Sequence, residues 1–219
     1  MSDVLVQARS IGRKGPVVTF SGVEGTGKTS MALVAADELR RQGYRVRILR
    51  LYPLSLKFII KWTMMALFPD IKREVNAETR IEKPKSALYL FIRKQLFRLD
   101  CLYHGQVLKF FSERGIAVVC DRYLYDSLAR ILDEGSCDES ECTRLAKHIP
   151  QPDAAFLLKA KTDIIEKRRR NYEGDELPDV SNAYIRLSDM GDFWIIDTDD
   201  GRKARSEIRG ILSYAGRRW

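Results

Sequence analysis

The sequence predicts an α/β fold, a doubly wound parallel sheet of about five strands with helices on both faces. Three observations carry that expectation. Short runs rich in β-branched and aromatic residues recur along the chain, helical patterns separate them, and a glycine-rich string follows the first run. Strands that alternate with helices favour parallel pairing, because each helix carries the chain back to the starting end of the next strand. At 219 residues the chain fits one domain with a sizeable core. Residues 1–15 are polar, basic and glycine-containing and read as a flexible tail. Residues 16–219 read as the single domain.

The elements follow in order. Pro16-Val17-Val18-Thr19-Phe20 reads as a short buried strand, and Thr29 to Gln42 as the helix after it. Arg45 to Leu51, Ile116 to Cys120, Ala154 to Leu158 and Phe193 to Ile196 read as further buried parallel strands. The clearest helical pattern runs from about Lys85 to Arg114, with Leu88, Ile92, Leu96, Leu99, Tyr103 and Val107 at i+3 and i+4 spacing. Gly115 is placed to end it. The acidic stretch Asp133 to Glu141 reads as a solvated surface loop.

The net charge of +8 suits a protein that handles polyanions, and nucleotide phosphates alone account for it. The basic residues are scattered without an aromatic-interleaved stripe, so no nucleic-acid partner is expected. Cys101, Cys120, Cys137 and Cys142 lack metal-ligand spacing and no secretory signal precedes them. Reduced thiols in a cytoplasmic protein are the expectation. No apolar run is long enough for a transmembrane segment. The two histidines, His104 and His148, are given no role.

Gly22-Val23-Glu24-Gly25-Thr26-Gly27-Lys28-Thr29 matches the phosphate-cradling pattern G-x-x-x-x-G-K-[ST] in full. Glycines let successive backbone N–H groups turn inward around phosphate oxygens. Lys28 then supplies a cation to the β and γ phosphates, and Thr29 a hydroxyl to Mg²⁺. A nucleoside triphosphate is therefore the expected ligand, with Mg²⁺, held by residues 22–29 and by Ser30. In such sheets ligands bind beyond the carboxyl ends of the strands. Asp121 ends the strand Ile116 to Cys120 there, as a second metal-side group opposite Thr29. The bland alternative is a helix cap. Arg122 then falls beside the transferring phosphoryl group. The guanine-reading tetrapeptide N-K-x-D is absent, which counts against a switch GTPase.

Phe20-Ser21-Gly22-Val23-Glu24-Gly25-Thr26-Gly27-Lys28-Thr29, followed by Asp121-Arg122-Tyr123, resembles the thymidylate kinase family. That family carries F-[ED]-G-x-[DE]-G-x-G-K-[ST] and, after a later strand, D-R-Y/H/S. The likeness extends through Pro152-Asp153, an arginine-bearing helix at Thr162 to Asn171, Tyr184 and the last strand. It implies ATP-dependent phosphoryl transfer to a nucleoside monophosphate, with dTMP the default acceptor. By the same resemblance Glu24 contacts the acceptor's sugar hydroxyl, Arg122 bridges donor and acceptor phosphates, and Tyr123 lines the acceptor side. Lys28, Asp121, Arg122 and Arg168 form the catalytic set. Arg168 and Arg170 match lid arginines in a segment near 162–180, although a solvated helix end is the plain alternative for them.

Several positions depart from the family pattern. Ser21 stands where an acid is usual. Arg50-Leu51-Tyr52-Pro53 replaces an arginine–proline segment, leaving Arg50 as a candidate grip for the acceptor phosphate. The base-reading arginine expected on the long helix falls on Asp100, with Arg98 or Arg93 as substitutes. Lys159 replaces an acid at the end of the fourth strand. Residues 54–68 (LSLKFIIKWTMMALF) read as a core or dimer-interface helix, or else as an apolar acceptor pocket or membrane-surface helix. A homodimer through 54–68 or the long helix is left open. So are other acceptors, such as a deoxynucleoside or a sugar- or lipid-linked molecule. A nucleotide-binding partner protein with a degenerate acceptor site is the third reading.

Overall fold

A computed structural model describes residues 13–51, 87–133, 137–169, 181–217 and 219. The expectations for 54–68, for Arg170 and for residues 1–12 lie outside the described residues. Among the described residues five strands form one sheet: β1 (Val17–Gly22), β2 (Arg45–Leu49), β3 (Ile116–Asp121), β4 (Ala154–Lys159) and β5 (Trp194–Asp197). Their order is β2-β3-β1-β4-β5 and every neighbouring pair is parallel. The helices are α1 (Lys28–Arg41), α2 (Ala87–Ser112), α3 (Leu124–Asp133), α4 (Glu139–Ala146), α5 (Thr162–Arg169), α6 (Ser181–Ser188) and α7 (Gly201–Ala215).

Each face of the sheet has its own core. On one, α1 and α7 pack Met31, Ala35, Leu39, Ile208 and Leu212 onto Val18, Phe20, Val119 and Phe156. On the other, α2, α3, α4 and α6 bring Phe97, Leu108, Leu128, Leu145 and Leu187 against Val17, Val118 and Cys120. The central strand β1 is buried at every position, as a run of apolar residues covered on both faces must be. β2 and β5 correct the expectation of buried strands, since both are edges. Arg45, Arg47 and Ile48 are exposed on β2, as are Trp194 and Ile195 on β5. Composition identified them as strands, and sheet order left one side of each uncovered.

The stripe of α2 that faces the core is also shifted. Phe97, Cys101, His104 and Leu108 are buried, whereas Leu99 and Tyr103 of the expected stripe are about half exposed. This helix has apolar residues on more than one face, so spacing alone does not select the buried one. The expected loop at 133–141 contains the start of α4. Asp138 caps that helix by accepting from the Glu141 N–H at 2.7 Å, and Glu139 and Glu141 sit in its first turn. Cys137 and Cys142 lie beside each other with Cα atoms 5.9 Å apart, and Cys101 and Cys120 are buried free thiols. The end of the expected tail is anchored: Arg13 donates to the carbonyls of Gly216 and Trp219, and the Gly15 N–H to Ser112. No described helix is long and apolar enough to cross a membrane.

Candidate active site

Sheet register builds the cleft. Phe20 pairs with Asp121 and Gly22 with Leu158, so β1 ends just beyond β3 and beside β4. The chain leaving β1 therefore starts its loop among the carboxyl ends of three strands. Gly22 is the residue this approach demands. A Cβ there would lie 2.4 Å from the Leu158 carbonyl oxygen, and its φ of 143° is one that L side chains rarely adopt. Gly27, at φ 86°, precedes the first turn of α1, whose free N–H groups point toward the loop.

Lys28 is 5% exposed and folds back over the loop, donating to the carbonyls of Gly22 at 2.7 Å and Val23 at 2.8 Å. Burial pulls its pKa below the ordinary lysine value, and the Asp126 carboxylate acts the other way. Thr26 is fully buried, its hydroxyl donating to the Val23 carbonyl. Thr29 and Ser30 are exposed at the start of α1. The Thr29 hydroxyl donates to Asp121 Oδ2 at 2.8 Å, bringing the two expected metal-side groups together across the cleft. Asp121 is not a helix cap: Oδ2 also receives Arg50 Nη2 at 2.7 Å and Nε at 3.2 Å. Arg50 reaches Thr29 Oγ1 as well, at 3.3 Å, so its cation sits against both groups.

Arg122 has φ 83°, the one non-glycine with positive φ among the described residues. Its N–H donates to the Phe20 carbonyl at 3.2 Å and its guanidinium to Glu24 Oε1 at 2.8 Å. That unusual backbone turns consecutive side chains to opposite destinations. Arg122 points over the loop, and Tyr123 goes into the core at 1% exposure with its hydroxyl on the Pro150 carbonyl. Tyr123 is thus a packing residue, which corrects its assignment to the acceptor side. Arg168 donates to the Thr198 carbonyl at 2.6 Å and to the Gly25 carbonyl at 3.3 Å, linking α5 to the loop and the end of β5. Arg98 is half-buried on α2 and donates to Gln95 on its own helix. Among the described residues no hydrogen bond joins it to the cleft. Asp100 is buried at 5% exposure.

Sequence reasoning missed Asp126. Its carboxylate accepts from Ser21 Oγ, the Gly22 N–H, the Tyr123 N–H and the Tyr184 hydroxyl. The only sequence signal was an acid in the first turn of α3, three residues beyond Tyr123, which is too common to single out.

The chain is 31% identical to the thymidylate kinase of Thermomicrobium roseum over 163 residues, covering 70% of this chain and 67% of that one. The chain belongs to the thymidylate kinase family. A probable thymidylate kinase of Methanocaldococcus jannaschii is 28% identical over 212 residues, covering 90% and 94% of the two chains. One from Pyrococcus abyssi is 29% identical over 188 residues, covering 81% and 84%. No family profile matches the chain. The fold is that of the thymidylate kinase from Candida albicans, with a TM-score of 0.60 and 92% of each chain covered at 17% identity. As a member of the thymidylate kinase family the protein is a nucleotide kinase.

Proposed function

We propose that this thymidylate kinase relative transfers the γ-phosphoryl group of ATP to a nucleoside monophosphate, with dTMP as its acceptor. The observation that carries the reading is the Glu24–Arg122 pair, closed at 2.8 Å above the loop that holds Lys28. One pair supplies a carboxylate for a sugar hydroxyl and a guanidinium for phosphate, beside the lysine for the donor. Both members are partly exposed and open to ligands.

The oxygen donors Thr29 Oγ1 and Asp121 Oδ2 suit Mg²⁺, a hard cation that takes few protein ligands and shares the rest with phosphate and water. When bound, the ion would supply positive charge against the phosphates. Arg50 lies on the same oxygens, and it leaves them to grip the acceptor phosphate in this reading. Lys28 exchanges its carbonyl partners for phosphate oxygens, and Arg168 turns from Gly25 toward them. No covalent intermediate is needed, because alignment and charge neutralisation carry the transfer.

ADP formation with Mg²⁺ and ATP should depend on dTMP within a panel of nucleoside monophosphates and deoxynucleosides. A protein that binds ATP but is stimulated by no member would overturn this acceptor class. Buried Asp100, at the position where the resemblance expects a base-reading arginine, favours a second reading with a different acceptor. A homodimer belongs to the same proposal, since Leu99, Leu102, Tyr103 and Phe110 leave an exposed apolar face along α2. Sedimentation should give twice the chain mass, and a monomer at micromolar concentration would remove the dimer.

A further inference from the structure

The carboxylate of Asp126 is 8% exposed in the first turn of α3, and its acceptor capacity is filled. Oδ1 accepts from the Gly22 N–H at 3.2 Å and the Tyr184 hydroxyl at 2.5 Å. Oδ2 accepts from the Tyr123 N–H at 2.8 Å and Ser21 Oγ at 3.2 Å. These donors come from three separate pieces of chain: the end of β1, the turn after β3, and α6. Between the first two lies Arg122 in its left-handed conformation. A non-glycine residue keeps such a backbone only where the surroundings over-determine it. Two hydrogen bonds bracket the strained residue, one from its own N–H to Phe20 and one from the next N–H to Asp126.

We propose that Asp126 is a positioning residue that locks the Arg122 turn to the start of the phosphate loop, and so sets Arg122 against Glu24. The proposal rests on the kinase reading for the role of Arg122 but on hydrogen bonds alone for the lock. Ser21 and Asp126 form a hydroxyl–carboxylate pair with the acid on α3. That arrangement gives the departure at position 21 a physical sense, because an acid at 21 would face a second, buried carboxylate. Asp126 is also the carboxylate that acts most strongly on Lys28. It favours the charged form of that lysine against the effect of burial.

The test combines three readouts on Asp126→Asn, which preserves shape, on Asp126→Ser, and on the exchanged pair Ser21→Glu with Asp126→Ser. Amide hydrogen exchange should speed up at least about tenfold at both Gly22 and Tyr123 in Asp126→Ser, and at whichever of the two faces the amide NH2 in Asp126→Asn, while Val118 and Val119 in mid-strand stay protected. Turnover should fall about 30- to 100-fold, a larger loss than that in ATP affinity, because the lock sets Arg122 for transfer whereas the donor loop keeps its other ties at Thr26 and Lys28. The exchanged pair should regain at least about tenfold of the turnover lost in Asp126→Ser, since it restores a carboxylate–hydroxyl contact from the other side. Unchanged exchange at Gly22 and Tyr123 would overturn the lock whatever the acceptor proves to be. An exchanged pair that fails to fold, or does no better than Asp126→Ser, would overturn the pairing. A wild-type protein that turns over no dTMP would sink the acceptor reading and leave the exchange result standing.

Discussion

The proposed donor side of the cleft is made by consecutive residues 22–29, fixed by backbone geometry. The proposed acceptor side draws Arg50 from the end of β2 and Arg122 from the turn after β3, with Glu24 supplied by the loop itself. The first side has its backbone set before any ligand arrives: glycines fix the turn and the Thr26 hydroxyl is tied to the Val23 carbonyl, while Lys28 alone exchanges loop carbonyls for phosphate. The second is held by pairs of long side chains, Arg50 with Asp121 and Arg122 with Glu24, that must open or swing for a ligand. A preorganised loop binds through fixed dipoles, whereas side-chain clamps gain specificity at a cost in reorganisation.

If that contrast holds, variants should separate cleanly. Lys28→Ala should have the largest effect, lowering kcat/KM by about 10³-fold and ATP affinity with it, since the cation opposes phosphate charge in ground and transition states alike. Turnover near the wild-type rate would sink the loop assignment. Arg122→Ala should cost about 10²-fold in kcat while ATP affinity stays within a few-fold, as titration of a fluorescent ATP analogue would show. An equal loss of ATP affinity would put Arg122 on the donor side. Glu24→Ala should raise KM for the acceptor by about tenfold and leave that for ATP within about twofold. An unmoved acceptor KM would give the loop carboxylate another job.

The smallest effect concerns the core beneath the cleft. Burial pushes the Cys101 thiol and the Tyr125 phenol up to about 12, and raises Cys120, Tyr123 and Tyr184 well above their ordinary values. Their folded values exceed those of the unfolded chain, so their contribution is full below about pH 9 and is lost as pH rises toward 12. Lys28 works in the opposite sense, its folded value being depressed, but it is one group against these five and Tyr44, which burial also raises. The thermal midpoint should therefore fall by several degrees between about pH 8 and pH 10.5. A flat profile would mean that the phenols titrate freely.

Much of the proposed donor side was legible because its signal is local. Spacing between Gly22 and Thr29 is a property of the chain, and so is the apolar run that ends at Asp121. Asp126 carried no such signal. Its four donors lie as far away as Ser21 and Tyr184, and only packing of α3 against β1 and α6 makes them neighbours. Tyr123 shows the same limit in reverse, because its motif suggested a ligand contact and the turn at Arg122 sent it into the core.

By itself, then, the sequence determined the alternation of strands and helices, the parallel sheet and the glycine–lysine loop from Gly22 to Thr29. Each depends on short-range periodicity or on a backbone requirement that few residues satisfy. Tertiary structure decided which strands became edges, which face of α2 was buried, and that Arg50 rather than Arg98 met the cleft. Those outcomes depend on sheet order and on the reach of long side chains between elements far apart in the chain, where many pairings satisfy the same local pattern.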